Sequence, residues 1–222
     1  MKTRYSVVVE RPRGFLGGSV HEAALRTADI LAVLTPWPGN LLAPGAHEER
    51  TRLIEVLREY GESEAADISP ADLADLRQAA VELRPVFAAA DAATAANRMN
   101  ALIVAHAYPP RLTAHGSTSG WHLHVDSSDD APWGEWFLTS SCLALAVLLA
   151  ERQALPAALC ASPSCGRPFV NVGRGPARRY CSSTCGTRER VAAHRSSRSR
   201  VPAAPSSAPP SSAAPASQPP RG

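Results

Sequence analysis

Aromatic side chains are scarce in this sequence, at 5% of residues, while Ala is abundant, and that balance favours helix over sheet. No run of 18 or more apolar residues occurs, so no transmembrane span is predicted. The opening stretch, MKTRYSVVVERPRGF, lacks a long apolar segment followed by a small-residue cleavage site, so no signal peptide is read there. A cytoplasmic protein without membrane contact is expected, with its thiols kept reduced. The 222 residues suffice for one medium domain plus a small module, and a hydrophobic share of 45% is that of an ordinary folded chain.

Negative charge is nearly missing from one end. Residues 1–150 hold 12 Lys and Arg against 18 Asp and Glu, a net −6. Residues 151–200 hold 10 Arg against Glu151 and Glu189 alone, a net +8, and Arg221 brings the chain to its overall +3. An acidic body joined to a basic end suggests a polyanion as partner of the basic end; the plainer alternative is a solvated basic surface.

Helical spacing organises the acidic body. Residues 1–18, with Pro12, Gly14, Gly17 and Gly18, read as an extended lead-in. Ala24, Leu25, Ala28, Leu31 and Ala32 mark a helix over His21–Leu34, which TPWPGNLLAPG breaks with three prolines and two glycines. A second helix fits Ala46–Tyr60, closed by Gly61. Ser69, Pro70 and Asp72 form a start signal: an N-cap, Pro at the first helical position, and an acid in the first turn. The helix that follows carries Leu73, Leu76, Ala80, Leu83 and Phe87, with a kink foreseen at Pro85. Another runs from about Ala92 to His106. RLTAH and WHLHVD read as a hairpin turning at Gly116–Gly120. Trp133–Glu151 is the most apolar helix and the expected centre of the core. From Val201 on, Pro makes up seven of the last 22 residues, and a tail of Ala, Pro and Ser is expected to stay disordered.

The cysteines carry the sharpest signal. Cys160-x4-Cys165-x15-Cys181-x3-Cys185 is two close pairs separated by a hairpin-length loop, the spacing of a tetrahedral zinc site. Two strands are predicted in the loop, Arg167–Val172 and Arg178–Tyr180, around a Gly173–Gly175 turn. Ser182 then opens a helix with Cys185 in its first turn, where the amide dipoles favour thiolate. Knuckle, hairpin and ligand-bearing helix together describe a treble clef. A module of about 40 residues is too small to hold by apolar burial, whereas structural zinc contributes on the order of 10–16 kcal/mol. Four thiolates with no open position point to one structural Zn2+ rather than a catalytic one. Four reduced buried thiols, or a redox pair, are the alternatives. Cys142 lies outside the pattern, on the apolar helix, and reads as core.

Basic residues surround the cysteines. Arg174, Arg178 and Arg179 sit on or beside the predicted hairpin; Arg188, Arg190, His194 and Arg195 lie on the helix, with Arg198 just beyond. The permanent cations here are all Arg, the side chain suited to forked contacts with phosphate and guanine edges. Arg188 and Arg195, seven apart, share a helix face. The helix is predicted to lie in a major groove or along a phosphate backbone; the alternative is that its cations complement the helix dipole.

LCASPSCGRPFVNVGRGPARRYCSSTCGTRERVAAHR closely resembles the CGNR zinc finger of bacterial proteins. The four residues that give that finger its name read here Cys185, Gly186, Thr187 and Arg188, with Thr in place of the usual Asn. The upstream region resembles, by its helix order and the Trp133–Glu151 segment, the helical ABATE domain that precedes such fingers. The resemblance implies a stress-responsive transcription regulator, with the finger binding DNA and the upstream domain sensing a small ligand or partner.

The expectation is thus a mainly α chain in four parts: the lead-in 1–18, a helical sensor domain over 19–153 with a short β-hairpin, a treble-clef-like four-cysteine zinc finger over 154–200, and the tail 201–222. A finger of this size makes a small DNA interface, so a homodimer through the helical domain is expected. The rival is a zinc-stabilised protein-interaction module that touches no nucleic acid. No set of acid, base and nucleophile stands out, so the chain is expected not to be an enzyme. The best candidate for a ligand or metal site in the first domain is His122, His124 and Asp126, which share one strand face that His115 could join. The alternative is a solvent-facing polar side, with Trp121, Leu123 and Val125 packed inward.

Overall fold

The computed structural model describes residues 17–39, 45–62, 67–114, 120–173 and 175–199. Residues 1–16 of the expected lead-in over 1–18, the loop around His115, Arg174 and the tail 201–222 lie outside the described residues, while Gly17 and Gly18 belong to the first helix rather than to an extended lead-in.

Four helices precede the first strands: α1 (Gly17–Leu34), α2 (Ala46–Glu59), α3 (Pro70–Phe87) and α4 (Ala92–His106). Each has a local cause. Gly61 follows α2 at φ +88° and donates to Arg58 O at 3.1 Å, the left-handed stop that glycine permits. Ser69 caps α3 in a full capping box: its Oγ accepts from the Asp72 N–H, and Asp72 Oδ2 accepts from the Ser69 N–H at 2.8 Å. Asp91 caps α4 by accepting from Thr94 N at 2.7 Å. Pro85 falls in the last turn of α3, which runs on to Phe87.

The fifth helix, α5 (Trp133–Arg152), packs against α1, α3 and α4. A helix apolar on most of its circumference is one surrounded by others. Phe137, Cys142, Leu145 and Leu148 are buried in it, against Ile30, Leu31, Leu53, Leu57, Leu76, Leu83, Phe87 and Met99 of the other four. By length and composition α5 is the one described helix that could cross a membrane, but half of that stretch is buried inside the bundle.

The first hairpin pairs β1 (Arg111–Thr113) with β2 (His122–His124), antiparallel, with Arg111 opposite His124, Leu112 opposite Leu123 and Thr113 opposite His122. Of the three residues that the alternative packs inward, Val125 is buried but Trp121 and Leu123 are not. Trp121 is 77% exposed, Leu112 67% and Leu123 38%, while Asp126 is 3% exposed. The cause is electrostatic. Arg111 is ion-paired with Asp126 and Asp129, and Thr113 Oγ1 donates to Asp129 Oδ2 at 2.8 Å. Those bonds turn the polar side to the body. A strand shows alternate residues on opposite faces, so the apolar side goes to water.

The second hairpin pairs β3 (Ala157–Leu159) with β4 (Pro168–Val170), and α6 (Ser183–Ser199) ends the described chain. The strand expected over Arg167–Val172 is present as β4, but Arg178–Tyr180 is not a strand and β4 pairs with β3 instead. Pro176 brings no ladder N–H, and the Arg178 N–H donates to the side chain of Asn171 at 3.0 Å rather than to a strand. Strand alternation then gives this hairpin two faces. Ala157 and Val170 join the core of the helical body, whereas Ala158 and Phe169 pack around the cysteines.

Candidate metal centre

Four segments deliver the four sulfurs. Cys160 follows β3, and Cys165 closes a turn in which its N–H donates to Ser162 O at 2.9 Å. Cys181 precedes α6, and Cys185 sits in its first turn, where its N–H donates to Ser182 Oγ at 3.3 Å. The ligand atoms of Cys160, Cys165, Cys181 and Cys185 all lie within 4.8 Å of one another. Among the described residues this is the one cluster of His, Cys, Asp and Glu gathered in that way.

The geometry fits zinc. A tetrahedron with metal–sulfur bonds of about 2.3 Å has edges of about 3.8 Å. Cys165 and Cys181 sulfurs are 3.7 Å apart, and Cys181 and Cys185 sulfurs 3.8 Å. None of the cysteines is in a disulfide. The electrostatics call for a cation. Burial opposes ionisation of Cys160, but the N–H groups of Cys181 and Ser162 aimed at its sulfur outweigh it and lower its pKa. Burial, then the three neighbouring thiols, push Cys181 up to about 12. A divalent ion supplies the charge that lets all four ionise together. Four sulfur ligands complete the tetrahedron, so one Zn2+ here is structural.

The predicted basic residues fall into two groups. Some are tied into the finger: Arg178 donates to Val170 O at 2.7 Å and lies over the Phe169 ring, and Arg188 donates to Ser164 Oγ at 2.8 Å. Arg179 lies over Tyr180. The others ride on α6. Every residue from Arg190 to Ser197 is exposed, among them His194 and Arg195. Glu189, the single acid on α6, accepts from Ser162 Oγ at 2.6 Å and so faces the knuckle. Arg174 and the side chain of Arg198 lie outside the described residues.

His122, His124 and Asp126 are brought together, but around an arginine. Asp126 Oδ1 accepts from Arg111 at 2.6 Å, His124 Nδ1 lies 2.9 Å from Asp126 Oδ2, and His122 Nδ1 lies 2.7 Å from Gly120 O. A guanidinium beside Asp126 repels a second cation, and the Nδ1 atoms of both histidines are engaged within the protein.

Two contributors escaped the sequence reading. Asn171, 2% exposed, accepts from Arg178 N and donates to Leu155 O, shaping the loop between the ligand pairs. Trp37 packs against the cysteine cluster from the far side of the chain. Neither signal was legible: an isolated Asn marks any turn, and Trp37 lies in a stretch whose prolines and glycines read only as a helix break.

Residues 157–198 match the family of CGNR zinc fingers, and these residues form such a finger. No curated protein matches the chain.

Proposed function

We propose that this protein is a zinc-dependent transcription regulator, in which the finger binds DNA through α6 and the helical body receives a small ligand or protein partner. The observation that carries the reading is the outer half of α6. Every residue from Arg190 to Ser197 is exposed, and the stretch holds Arg190, His194 and Arg195 and no acid. Helical turns without packing are marginal in water. A phosphate backbone or a major groove would supply such packing and would suit its cations. The net charge of −6 over residues 1–150 repels a polyanion from the body, which leaves the basic finger as the side that DNA approaches.

The domain upstream, similar to an ABATE domain in its helix order, acts as the sensor in this reading. It performs no catalysis and pairs two chains, because one small module buries too little on DNA for tight specific binding. The cell compartment is the cytoplasm, where DNA is at hand in a bacterium.

The test is binding of the zinc-loaded full chain to duplex DNA across a salt series. The expected result is a linear fall of log K with log salt concentration, and loss of binding for the Arg190→Ala/Arg195→Ala double variant. Absence of binding at low salt overturns the DNA reading and moves the finger to protein interaction. Sedimentation of the full chain as a monomer at DNA-binding concentrations overturns the dimer.

A further inference from the structure

The zinc site has a wall that its own finger does not provide. After α1 the chain runs through Thr35, Pro36, Trp37, Pro38 and Gly39, about 120 positions before the first ligand and outside the matched finger segment 157–198. This strap lies against the loop between Cys160 and Cys165. The Gly39 N–H donates to the carbonyl of Cys165 at 3.0 Å. Trp37, partly buried, packs against the cluster that Cys160, Cys165, Phe169 and Cys185 form, and its Nε1 donates back to Ala32 O in α1 at 3.0 Å.

The fit leaves no room on either side. Gly166, the residue after the second ligand, holds φ +72°, and a Cβ there would come 2.6 Å from Pro38 Cδ. A Cβ on Gly39 would meet the Trp37 ring at 2.3 Å and Ser164 O at 3.3 Å. Beside this contact Arg167 of the finger reaches Asp29 of α1 at 2.8 Å, and Tyr60 donates to the same carboxylate at 2.8 Å. On its other side the loop is held by α6, through Ser162 to Glu189 and Ser164 to Arg188.

We propose that Trp37, Pro38 and Gly39 are positioning residues of the zinc site, supplied by the helical body, and that metal binding and the end of α1 are thereby coupled. The physical need is clear from the spacing. Four residues separate Cys160 from Cys165. A loop that long is not fixed by its two ligands alone, and conformational freedom in the metal-free site weakens binding. Pinning the Cys165 carbonyl and packing an indole against the cysteine cluster removes part of that freedom. Groups outside the ligand set change metal affinity by about 10- to 100-fold when lost. Linkage is reciprocal, so zinc must stabilise the strap by the factor that the strap adds to zinc binding.

The test uses the full chain. Zinc affinity is measured by competition with a chromophoric chelator, and ligand geometry by the thiolate-to-metal charge-transfer band of the Co2+ form. Trp37→Ala is expected to weaken zinc binding by about tenfold and to alter that band. Trp37→Phe, which keeps a ring against the cysteine cluster, is expected to recover most of the affinity. Met99→Ala, a cavity in α4 away from the finger, is expected to leave the affinity unchanged. Chelation of the wild type is expected to speed hydrogen exchange at the Gly39 amide. An affinity for Trp37→Ala within twofold of wild type overturns the proposal, as does an equal loss in Met99→Ala or a Gly39 amide indifferent to zinc. Should Trp37→Ala fail to fold, Pro38→Ala decides by the same criteria.

Discussion

The Arg111 guanidinium donates to Asp126 Oδ1 at 2.6 Å, and the carboxylate it neutralises is 3% exposed. This pair, with Asp129 as the second partner of the same arginine, turns the β1–β2 hairpin polar side inward. Removing one member of a buried pair leaves the other charge uncompensated, which costs on the order of 3 kcal/mol. Arg111→Met is therefore expected to lower the stability of the helical body by about that amount. Urea unfolding followed by far-UV circular dichroism measures it; a change below about 0.5 kcal/mol, the range of ordinary surface substitutions, contradicts the account.

The same cluster makes a pH prediction. Burial holds the pKa of His124 below its ordinary value of about 6.5, against the pull of Asp126 and with that of His122 and Arg111. The folded form thus favours the neutral ring, and the unfolded chain takes up the proton first. Its contribution is fully present above about pH 6.5 and is lost as the pH falls below that value. The urea midpoint is expected to drop between pH 7.5 and pH 5.5, and His124→Gln to flatten that part of the dependence. An unchanged slope in the variant shows that another group sets it.

At the start of α3, the Ser69 Oγ is expected to contribute about 1 kcal/mol through the Asp72 N–H. Ser69→Ala should lose it, and Ser69→Thr, whose hydroxyl can both accept from that N–H and donate to the Asp72 carboxylate, should retain most of it. Equal stability of the alanine variant and the wild type in thermal unfolding rules the cap out as a contributor.

Thiol chemistry separates the cysteines. Cys142 is 1% exposed, and burial, then the Glu82 charge, push it up to about 12. The thiolate is the reactive form, so Cys142 is expected to resist alkylation in the folded chain. With zinc bound, labelling at neutral pH should be slow throughout. After chelation the four clustered cysteines should label, and the fifth only in denaturant. Mass spectrometry of the alkylated chain reads the count; fast labelling of Cys142 before denaturation refutes its placement in the core. Because the ligands bind as thiolates, acidification is expected to release the metal, monitored with a zinc-sensitive dye.

Much of this was legible before any coordinates. The helices α2, α3, α4 and α5 begin and end within a residue or so of where the apolar spacing, Ser69–Pro70 and Gly61 place them, while α1 starts four residues earlier than His21. The cysteine spacing marks the metal centre, and Ser182 opens α6 as expected. The hairpins were harder. A strand of three residues carries too little alternation to name its partner, so the spacing offers Arg178–Tyr180 to β4, which pairs with β3 instead. In WHLHVD the alternation leaves two faces open, and burial of both Val125 and Asp126 follows from Arg111, Asp126 and Asp129 meeting.

What the sequence determined alone is what rests on neighbours a few positions apart: caps, helix faces, and two close pairs of sulfurs. Such contacts form through short stretches of backbone, so residue order states them directly. Only the tertiary structure decided that Trp37 packs against a cysteine cluster more than 120 positions away, that Ala157 and Val170 of the finger join the helical core, and that the tryptophan at 121 faces water. Those outcomes depend on which surfaces meet when the chain closes on itself, and on buried charges whose partners lie on other elements. There the need to neutralise Asp126 overrides the preference of Leu112, Leu123 and Trp121 for the interior.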